Sequence, residues 1–233
     1  MYFVIRKKIF LIITLFVILT VSFGLILQKI VYTKTLASPI DISVVIDAGH
    51  GGIDGGSVGV NTGITENELN LVYANKLEKL LRAVGITVYQ TRTSLDGLYK
   101  TADDNFKKYD MEKRKEIIEN INPNLVVSIH MNKFSLASEN GAQVFYNEEN
   151  ENGKNLADNI RDELIKRIEN ARELTLSGDY YMVKYTNIPT VIVECGFLSN
   201  AEEELSLQNE DYQDTMCYSI FCGIFRYLNV NNY

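Results

Sequence analysis

Six short apolar runs, most of them separated by helical patterns, constrain the fold of this 233-residue chain more than any other feature. The runs lie at 42–47, 86–91, 125–130, 142–146, 180–185 and 190–195. Apolar residues at helical spacing predict helices at 66–82, 111–120, 153–173 and 211–228. Strands that alternate with helices are typical of a mostly parallel sheet covered on both faces. The sequence therefore predicts one α/β domain, with a mixed, mostly parallel sheet of about six strands flanked by helices.

A separate apolar segment precedes this domain. Arg6, Lys7 and Lys8 come before nineteen uncharged residues, 9–27, and a helix of that length nearly matches the roughly 30 Å of bilayer hydrocarbon. We expect a cytoplasmic basic segment at 1–8, a membrane signal-anchor at 9–27, a linker at 28–41 and the folded domain at 42–229. Thr35-Leu36-Ala37 also fits a signal cleavage site, and cleavage there would give a secreted protein. The length of the run favours the anchor, and both alternatives export the domain.

Composition excludes some classes of partner. The net charge of −7 argues against a nucleic acid, which requires a basic face. Three cysteines are too few for a disulfide framework, so they are predicted to be small buried hydrophobic residues.

The chain has only two histidines, and each follows or ends an apolar run at the carboxyl end of a predicted strand, where α/β proteins gather their chemistry. Zinc at a catalytic site takes three protein ligands and leaves one position open. His50, His130 and a carboxylate, Glu66, have the right ligand types. Thr65 and Glu68 also form a capping-box pattern, so Glu66 is equally well explained as a first-turn acid, and Glu68 is a rival ligand.

Glu194 ends the apolar run 190–194 and is the candidate general base, because burial raises a carboxyl pKa towards neutrality. The alternative is a structural ion pair with Arg92 or Arg114. Asp47 and Asn132 flank the histidines and are candidates to orient the imidazoles.

Two further groups near the predicted site are weaker candidates. Asp54 is expected to hold the glycine-rich loop 49–56, although turn structure explains Asp47, Asp54 and Asn132 as well. Arg172, with Tyr180 and Tyr181, is a candidate substrate contact, although surface or core packing is the favoured explanation for all three.

The residues then show a resemblance to a known family. Four blocks resemble the signature blocks of zinc-dependent N-acetylmuramoyl-L-alanine amidases: 46–56 (IDAGHGGIDGG), 65–71 (TENELNL), 128–132 (SIHMN) and 193–200 (VECGFLSN). The resemblance implies one zinc ion per chain held by His50, Glu66 and His130, with Glu194 as acid/base, and so favours Glu66 over Glu68. It implies that the 42–229 domain cleaves the amide between N-acetylmuramic acid and L-alanine. Ala48 is one departure, since the family commonly has proline there.

Within this family, the N-terminal membrane segment and the bare catalytic domain most resemble germination-specific, CwlD-like amidases of spore-forming Firmicutes. That resemblance implies a spore-cortex substrate during sporulation, functional coupling to a peptidoglycan deacetylase that completes muramic-δ-lactam, and a location in the forespore intermembrane space. The segment after Tyr146 is too short for an inhibitory helix, so control is expected from metal occupancy, expression timing or an accessory activator protein. The alternatives are a vegetative cell-wall amidase, a non-catalytic peptidoglycan-binding protein and a zinc hydrolase of another bond.

Overall fold

The computed structural model describes residues 13–24, 42–99 and 105–230, and the chain divides into two units, Met1–Ile40 and Asp41–Tyr233. In the first unit, residues 13–24 form a helix with exposed side chains. No helix among the described residues is long and apolar enough to cross a membrane. The predicted segment 1–8, the ends of the predicted 9–27 span, the linker up to residue 41 and the cleavage site at Ala37 lie outside the described residues.

The second unit is an α/β domain built on one six-stranded sheet. Its strands are β1 Ser43–Ala48, β2 Thr87–Gln90, β3 Leu125–Asn132, β4 Gln143–Tyr146, β5 Leu176–Ser177 and β6 Thr190–Phe197. Its helices are α1 Glu66–Ala83, α2 Phe106–Ile121, α3 Glu151–Ile165, α4 Tyr181–Lys184, α5 Ala201–Gln208 and α6 Glu210–Val230. The order across the sheet is β2-β1-β3-β6-β4-β5, and only the β4–β6 pair is antiparallel. The prediction of a mixed, mostly parallel sheet is confirmed.

The central strands are apolar on both faces because both faces are covered. Alternate residues of β1 divide between two clusters. Val44 and Ile46 belong to the cluster that includes residues of α1, α3 and α6, whereas Val45 belongs with Ile118 of α2 to the other. Helices α3 and α6 approach closely at Gly223, where a Cβ atom would lie 2.4 Å from the Cα of Ile160. This two-sided burial fixes the register that places the candidate functional residues.

The structure corrects three element predictions. The run 180–185 is not a strand: Tyr181–Lys184 is a helical turn, and the fifth strand lies upstream at Leu176–Ser177. Helix α3 ends at Ile165 rather than near residue 173. Beyond it the N–H of Arg167 bonds to the carbonyl of Leu164, three residues back, and the chain turns again at Asn170, whose φ of 65° is left-handed. Helix α5 was not predicted, since its sequence has only two leucines, although Asn200 caps it by accepting from the N–H groups of residues 202 and 203.

Candidate metal centre and active site

Parallel pairing brings the carboxyl ends of β1, β3 and β6 together at one edge of the sheet. His130 of β3 and Glu194 of β6 are register partners. His50 lies two residues beyond β1, and the backbone of Gly49 still bonds to β3 through the carbonyl of Ile129 at 3.1 Å. Two of the predicted residues are thus direct neighbours, and the third is held beside them.

His50, Glu66 and His130 form a cluster that can hold a metal ion. One ligand atom from each lies within 4.8 Å of the others. Oε1 of Glu66 is 3.2 Å from Nε2 of His50 and 2.9 Å from Nδ1 of His130. The imidazole rings meet edge-on, with centroids 5.0 Å apart and planes at 76°. Two nitrogens and one carboxylate around a common point are a donor set that suits zinc.

Glu66 and Glu68 have different roles. Glu66 opens α1 and is buried, with Oε2 accepting from the N–H of Ser57 at 2.8 Å and Oε1 from that of Met131 at 3.2 Å. Glu68 turns back to the helix start and accepts from the backbone N–H of Thr65 at 3.2 Å. The capping box therefore belongs to Glu68, and Glu66 is the acid that faces the histidines.

The electrostatics of the cluster are those of a cation site. Burial raises the pKa of Glu66, but hydrogen bonds and charge from His130 and His50 outweigh burial and hold that pKa well below its usual range. Burial lowers the pKa of His50, but Asp54 and Glu66 overcome it and raise the pKa to about 9. Without a metal ion, the protonated imidazole of His50 therefore offsets part of the negative charge of Glu66 and Asp54.

The glycine-rich loop is shaped around these ligands. His50 adopts a left-handed φ of 61°, and its Nδ1 lies 2.9 Å from Oδ2 of Asp54, so Asp54 orients the imidazole. At Gly56, with φ of 69°, a Cβ atom would lie 2.5 Å from Oε2 of Glu66. At Gly49 a Cβ atom would lie 2.2 Å from the ring of His130. Any larger residue at these two positions would displace a ligand.

Two buried arginines hold the segment that carries His50. Arg92 donates to the carbonyls of Ala48 and Gly49 at 2.8 and 2.9 Å. Arg114, only 1% exposed, donates to the carbonyls of Ala48 and His50 at 2.8 and 2.5 Å. We call these two guanidinium groups the carbonyl clamp. Since a left-handed residue is strained, the bonds to consecutive carbonyls help to hold it in place.

The remaining candidates bond to groups outside the cluster of His50, Glu66 and His130. Asp47 accepts from Arg114, Thr91 and Ser128 rather than from an imidazole, and this pairing lowers its pKa to about 2 despite burial. Asn132 donates to Gln143 at 3.0 Å. Arg172 donates to the carbonyl of Asn140 and to Glu139, within a neighbouring loop. Asp47 therefore supports the carbonyl clamp, whereas the bonds of Asn132 and Arg172 go to β4 and to the loop before it.

Glu194 is a buried carboxyl group that faces the cluster without a structural partner. It is 9% exposed, and within the described parts of the chain its Oε2 has no hydrogen-bond partner. The alternative of a pair with Arg92 or Arg114 is not observed, because both guanidinium groups are engaged by other acceptors. Burial raises the pKa of Glu194 to about 7, with Glu66 adding to the effect and the histidines opposing it. A group with that pKa can accept and return a proton near neutral pH.

A cavity of about 270 Å³ opens over His50, His130 and Glu194. Its walls include Lys107 and Met111 of α2 and the segment Tyr180–Met182. Tyr180 and Tyr181, the weaker candidates for substrate contacts, line this cavity. Lys107, Met111 and Met182 were not singled out from the sequence, because no local signal tells which face of a helix will border a distant strand end.

Other supporting residues were also missed. Asn70 donates to the carbonyl of Gly49 at 3.1 Å, linking α1 to the loop. The hydroxyl of Tyr99 accepts from the N–H of Ile53 and lies 3.3 Å from the carbonyl of Gly51. Asn70 sits inside one of the quoted blocks and repeats the helical spacing from Glu66, which is the signal that could have found it. For Tyr99 the sequence offers no such signal.

Comparison with known proteins places this geometry among amidases. The family model described as N-acetylmuramoyl-L-alanine amidase matches residues 44–226. The germination-specific N-acetylmuramoyl-L-alanine amidase of Bacillus subtilis is 33% identical over 189 residues, covering 79% of this chain and 78% of that protein.

Two solved structures agree with that match. The CwlD amidase of Clostridioides difficile, solved in complex with the GerS lipoprotein, is 36% identical with a TM-score of 0.78, covering 82% of this chain and all of that one. The catalytic domain of CwlV, an N-acetylmuramoyl-L-alanine amidase of Bacillus (Paenibacillus) polymyxa var. colistinus, is 31% identical with a TM-score of 0.72 and covers 81% of this chain and 99% of that one.

Proposed function

This chain belongs to the N-acetylmuramoyl-L-alanine amidase family and is a peptidoglycan amidase, and from that premise we propose that it is a zinc enzyme that uses Glu194 as its acid/base and spore-cortex peptidoglycan as its substrate. The observation that carries the mechanism is the unpartnered Oε2 of Glu194, buried beside the cluster of His50, Glu66 and His130. Burying an unpaired carboxyl group lowers the stability of the fold, so the presence of Glu194 at the carboxyl edge of the sheet argues for a catalytic role.

The donor set fits zinc. His50 and His130 present nitrogens and Glu66 presents an oxygen, which is the three-ligand set of many catalytic zinc sites. Asp54 holds the far nitrogen of His50, as carboxylates do behind zinc-bound histidines. A bound zinc ion would supply Lewis acidity and lower the pKa of water to about 7.

The residues of the chain supply the proton transfers. The carboxylate of Glu194 takes a proton from the attacking water, and its pKa of about 7 matches that task. The amide carbon–nitrogen bond then breaks, and the same carboxyl group returns the proton to the amino group of L-alanine as it leaves. The carbonyl clamp and Asp54 keep the imidazole of His50 fixed during both steps.

The cortex assignment rests on the relatives. The B. subtilis relative is named for germination, and the C. difficile amidase was solved with a lipoprotein. By analogy, the domain acts outside the cytoplasm, anchored through the apolar N-terminal segment in the forespore intermembrane space. It removes stem peptides so that a deacetylase can complete muramic-δ-lactam. An accessory protein similar in kind to that lipoprotein is its proposed activator.

Product analysis tests the reaction. Wild type and Glu194→Gln are incubated with purified cortex and with vegetative peptidoglycan, the fragments are identified by mass, and zinc is quantified in both proteins. We expect free stem peptides with an L-alanine amino terminus from wild type alone, faster from cortex, and the same zinc content in the two variants. Equal rates on both substrates would overturn the cortex assignment, and activity of Glu194→Gln would overturn the catalytic one.

The accessory protein is tested with the same material. The proposal expects the purified chain to contain less than one zinc ion and to be slow until the partner is added. Full zinc content with full turnover in the absence of any partner would contradict it.

A further inference from the structure

The walls of the active-site cavity differ in chemistry. Lys107 and Met111 of α2 form one wall, the segment Tyr180–Met182 forms another, and His50 and Glu194 lie at the base. The two walls are supported together, because Met182 and Met111 belong to the same apolar cluster. Substrate groups on the two sides of the scissile bond therefore meet different surfaces.

Lys107 is the cation with free donors among the described residues that line this cavity. Arg114, the other lysine or arginine of the lining, directs its donors to Asp110, Asp47 and two backbone carbonyls and is buried. The side chain of Lys107 is 67% exposed, and Nζ lies 3.2 Å from Oδ1 of Asp54. One contact leaves two of the three ammonium donors for a ligand.

Because several carboxylates line the cavity, an acidic ligand needs Lys107 to bind there. Asp54, Asp110 and Glu194 all line the cavity and would repel a second anion. Asp110 is paired with buried Arg114, whereas exposed Lys107 both offsets the charge of Asp54 and keeps donors for a further anion. One carboxylate, that of Asp54, bridges Lys107 to His50 of the cluster. An extended residue or two, at roughly 3.3 Å each, spans such a separation.

We propose that Lys107 is a specificity-determining residue that pairs with the carboxylate of the acidic second residue of the stem peptide. The inference rests on the proposed function, in which L-alanine is the leaving residue. The residue after L-alanine in peptidoglycan is a glutamate, which carries a free carboxylate in some walls and an amide in others. Lys107 then favours the acidic form over the amidated form.

The other wall receives the saccharide. Tyr180 and Tyr181 are 40% and 44% exposed. The ring of Tyr180 meets that of Phe145 edge-on at 5.1 Å, and the ring of Tyr181 meets that of Tyr185 at 5.3 Å with the planes tilted by 38°. Supported aromatic faces that border a polar cavity suit the apolar face of a sugar ring. The substrate is thereby oriented, with its peptide towards α2 and its glycan towards α4.

The test compares two muropeptides that differ only in the second residue, glutamate or its amide. Full-length wild type, Lys107→Gln, Lys107→Glu and Lys108→Gln are assayed for KM and kcat on both, and zinc content is measured in each. Lys108 is the matched control, since it is the adjacent exposed lysine of α2, pairs with Glu112 and does not line the cavity. Dissociation constants of both muropeptides are also measured in the Glu194→Gln background.

We expect wild type to prefer the acidic muropeptide about fivefold through KM, as a single partly exposed ion pair allows. Lys107→Gln removes that preference, Lys107→Glu reverses it, and Lys108→Gln keeps it, all with unchanged zinc content. An unchanged preference in Lys107→Gln, or no preference in wild type, overturns the inference. If no variant cleaves either muropeptide, the proposed function fails, and the dissociation constants then decide the role of Lys107 separately.

Discussion

At the scale of single residues, Glu194 shows a conflict between stability and chemistry. Its folded pKa of about 7 lies above the usual 4.5, so the folded chain binds this proton more tightly than the unfolded chain. The stability from this group is therefore full below about pH 4.5 and is lost as the pH rises to about 7. The shift corresponds to at most about 3 kcal/mol.

Glu194→Gln should therefore separate the two effects. In the metal-free protein at pH 8 we expect a higher melting temperature than for wild type, with the difference vanishing towards pH 5. In the zinc-loaded protein we expect kcat to fall at least about 100-fold. Thermal unfolding across pH and turnover measure the two effects. Glu202→Gln, at an exposed position of α5, is the control, and a pH-independent stability difference would contradict the assignment.

Glu66 and Glu68 provide a matched pair within one helical turn. Glu66→Gln should abolish tight zinc binding, because it removes the buried charge that faces both histidines. Glu68→Gln should leave zinc binding and kcat intact and cost at most about 1 kcal/mol, since it weakens only a helix cap. Zinc titration and chemical denaturation of both variants check this. Loss of zinc from Glu68→Gln would make Glu68 a ligand.

Protons and zinc compete for His50. Its pKa of about 9 in the metal-free protein means that zinc must displace a proton at neutral pH. We expect the apparent affinity to rise about tenfold per pH unit between 7 and 9 and to level off above. Above pH 9, Asp54→Asn should bind zinc more weakly than wild type, because the ring of His50 loses its orienting partner. At pH 7 the difference in zinc affinity between the variant and wild type should be smaller, because the variant holds the competing proton less tightly. Chelator competition at several pH values measures this, and a gap that does not narrow as the pH falls to 7 would contradict it.

At the scale of elements, the carbonyl clamp joins α2, the end of β1 and the glycine-rich loop 49–56. Arg114→Lys keeps the charge next to Asp47 but cannot reproduce the bonds to the carbonyls of Ala48 and His50. We expect a loss of about 1–3 kcal/mol in stability and a weaker zinc affinity. Arg226→Lys, on the exposed face of α6, is the control. Normal zinc affinity in Arg114→Lys would show that the clamp serves only the fold.

The sequence predicted helices and strands correctly where burial sets the spacing of apolar residues. It failed where tertiary contacts decide whether a short apolar run is a strand or a helical turn, or where a helix ends. The apolar runs of β1, β3 and β6 identified the central strands because both of their faces are covered. The run at 180–185 misled because two exposed tyrosines next to buried Met182 and Val183 fit a helical turn as well as a strand. Ile168 extends the helical spacing of α3 and is buried, but it lies in a turn, because the helix already ends at Ile165.

The sequence predicted those residues of the candidate site that lie within short motifs at the ends of strands and helices. His50, Glu66, His130 and Glu194 lie at strand and helix ends and meet in the structure. The contacts that support them are distant in sequence: Arg114 reaches His50 over 64 positions, and Thr91 reaches Asp47 over 44. Such pairs depend on the packing of α2 and β2 against β1, which a single sequence does not encode locally.

At the scale of the whole molecule, residues 42–230 contain the complete sheet, both apolar clusters and all the candidate ligands. The proposed zinc ion would bind the folded domain only, because its ligands come from three distant segments, so it should raise the melting temperature. Free zinc at 100 times its dissociation constant adds about 2.7 kcal/mol. For a domain of this size that is a shift of roughly 5–10 °C. Calorimetry of the metal-free and zinc-loaded chain measures this shift in melting temperature. A chelator should reverse the shift, and Glu66→Gln should not show it. A zinc-dependent shift retained in Glu66→Gln would place the ion elsewhere on the domain.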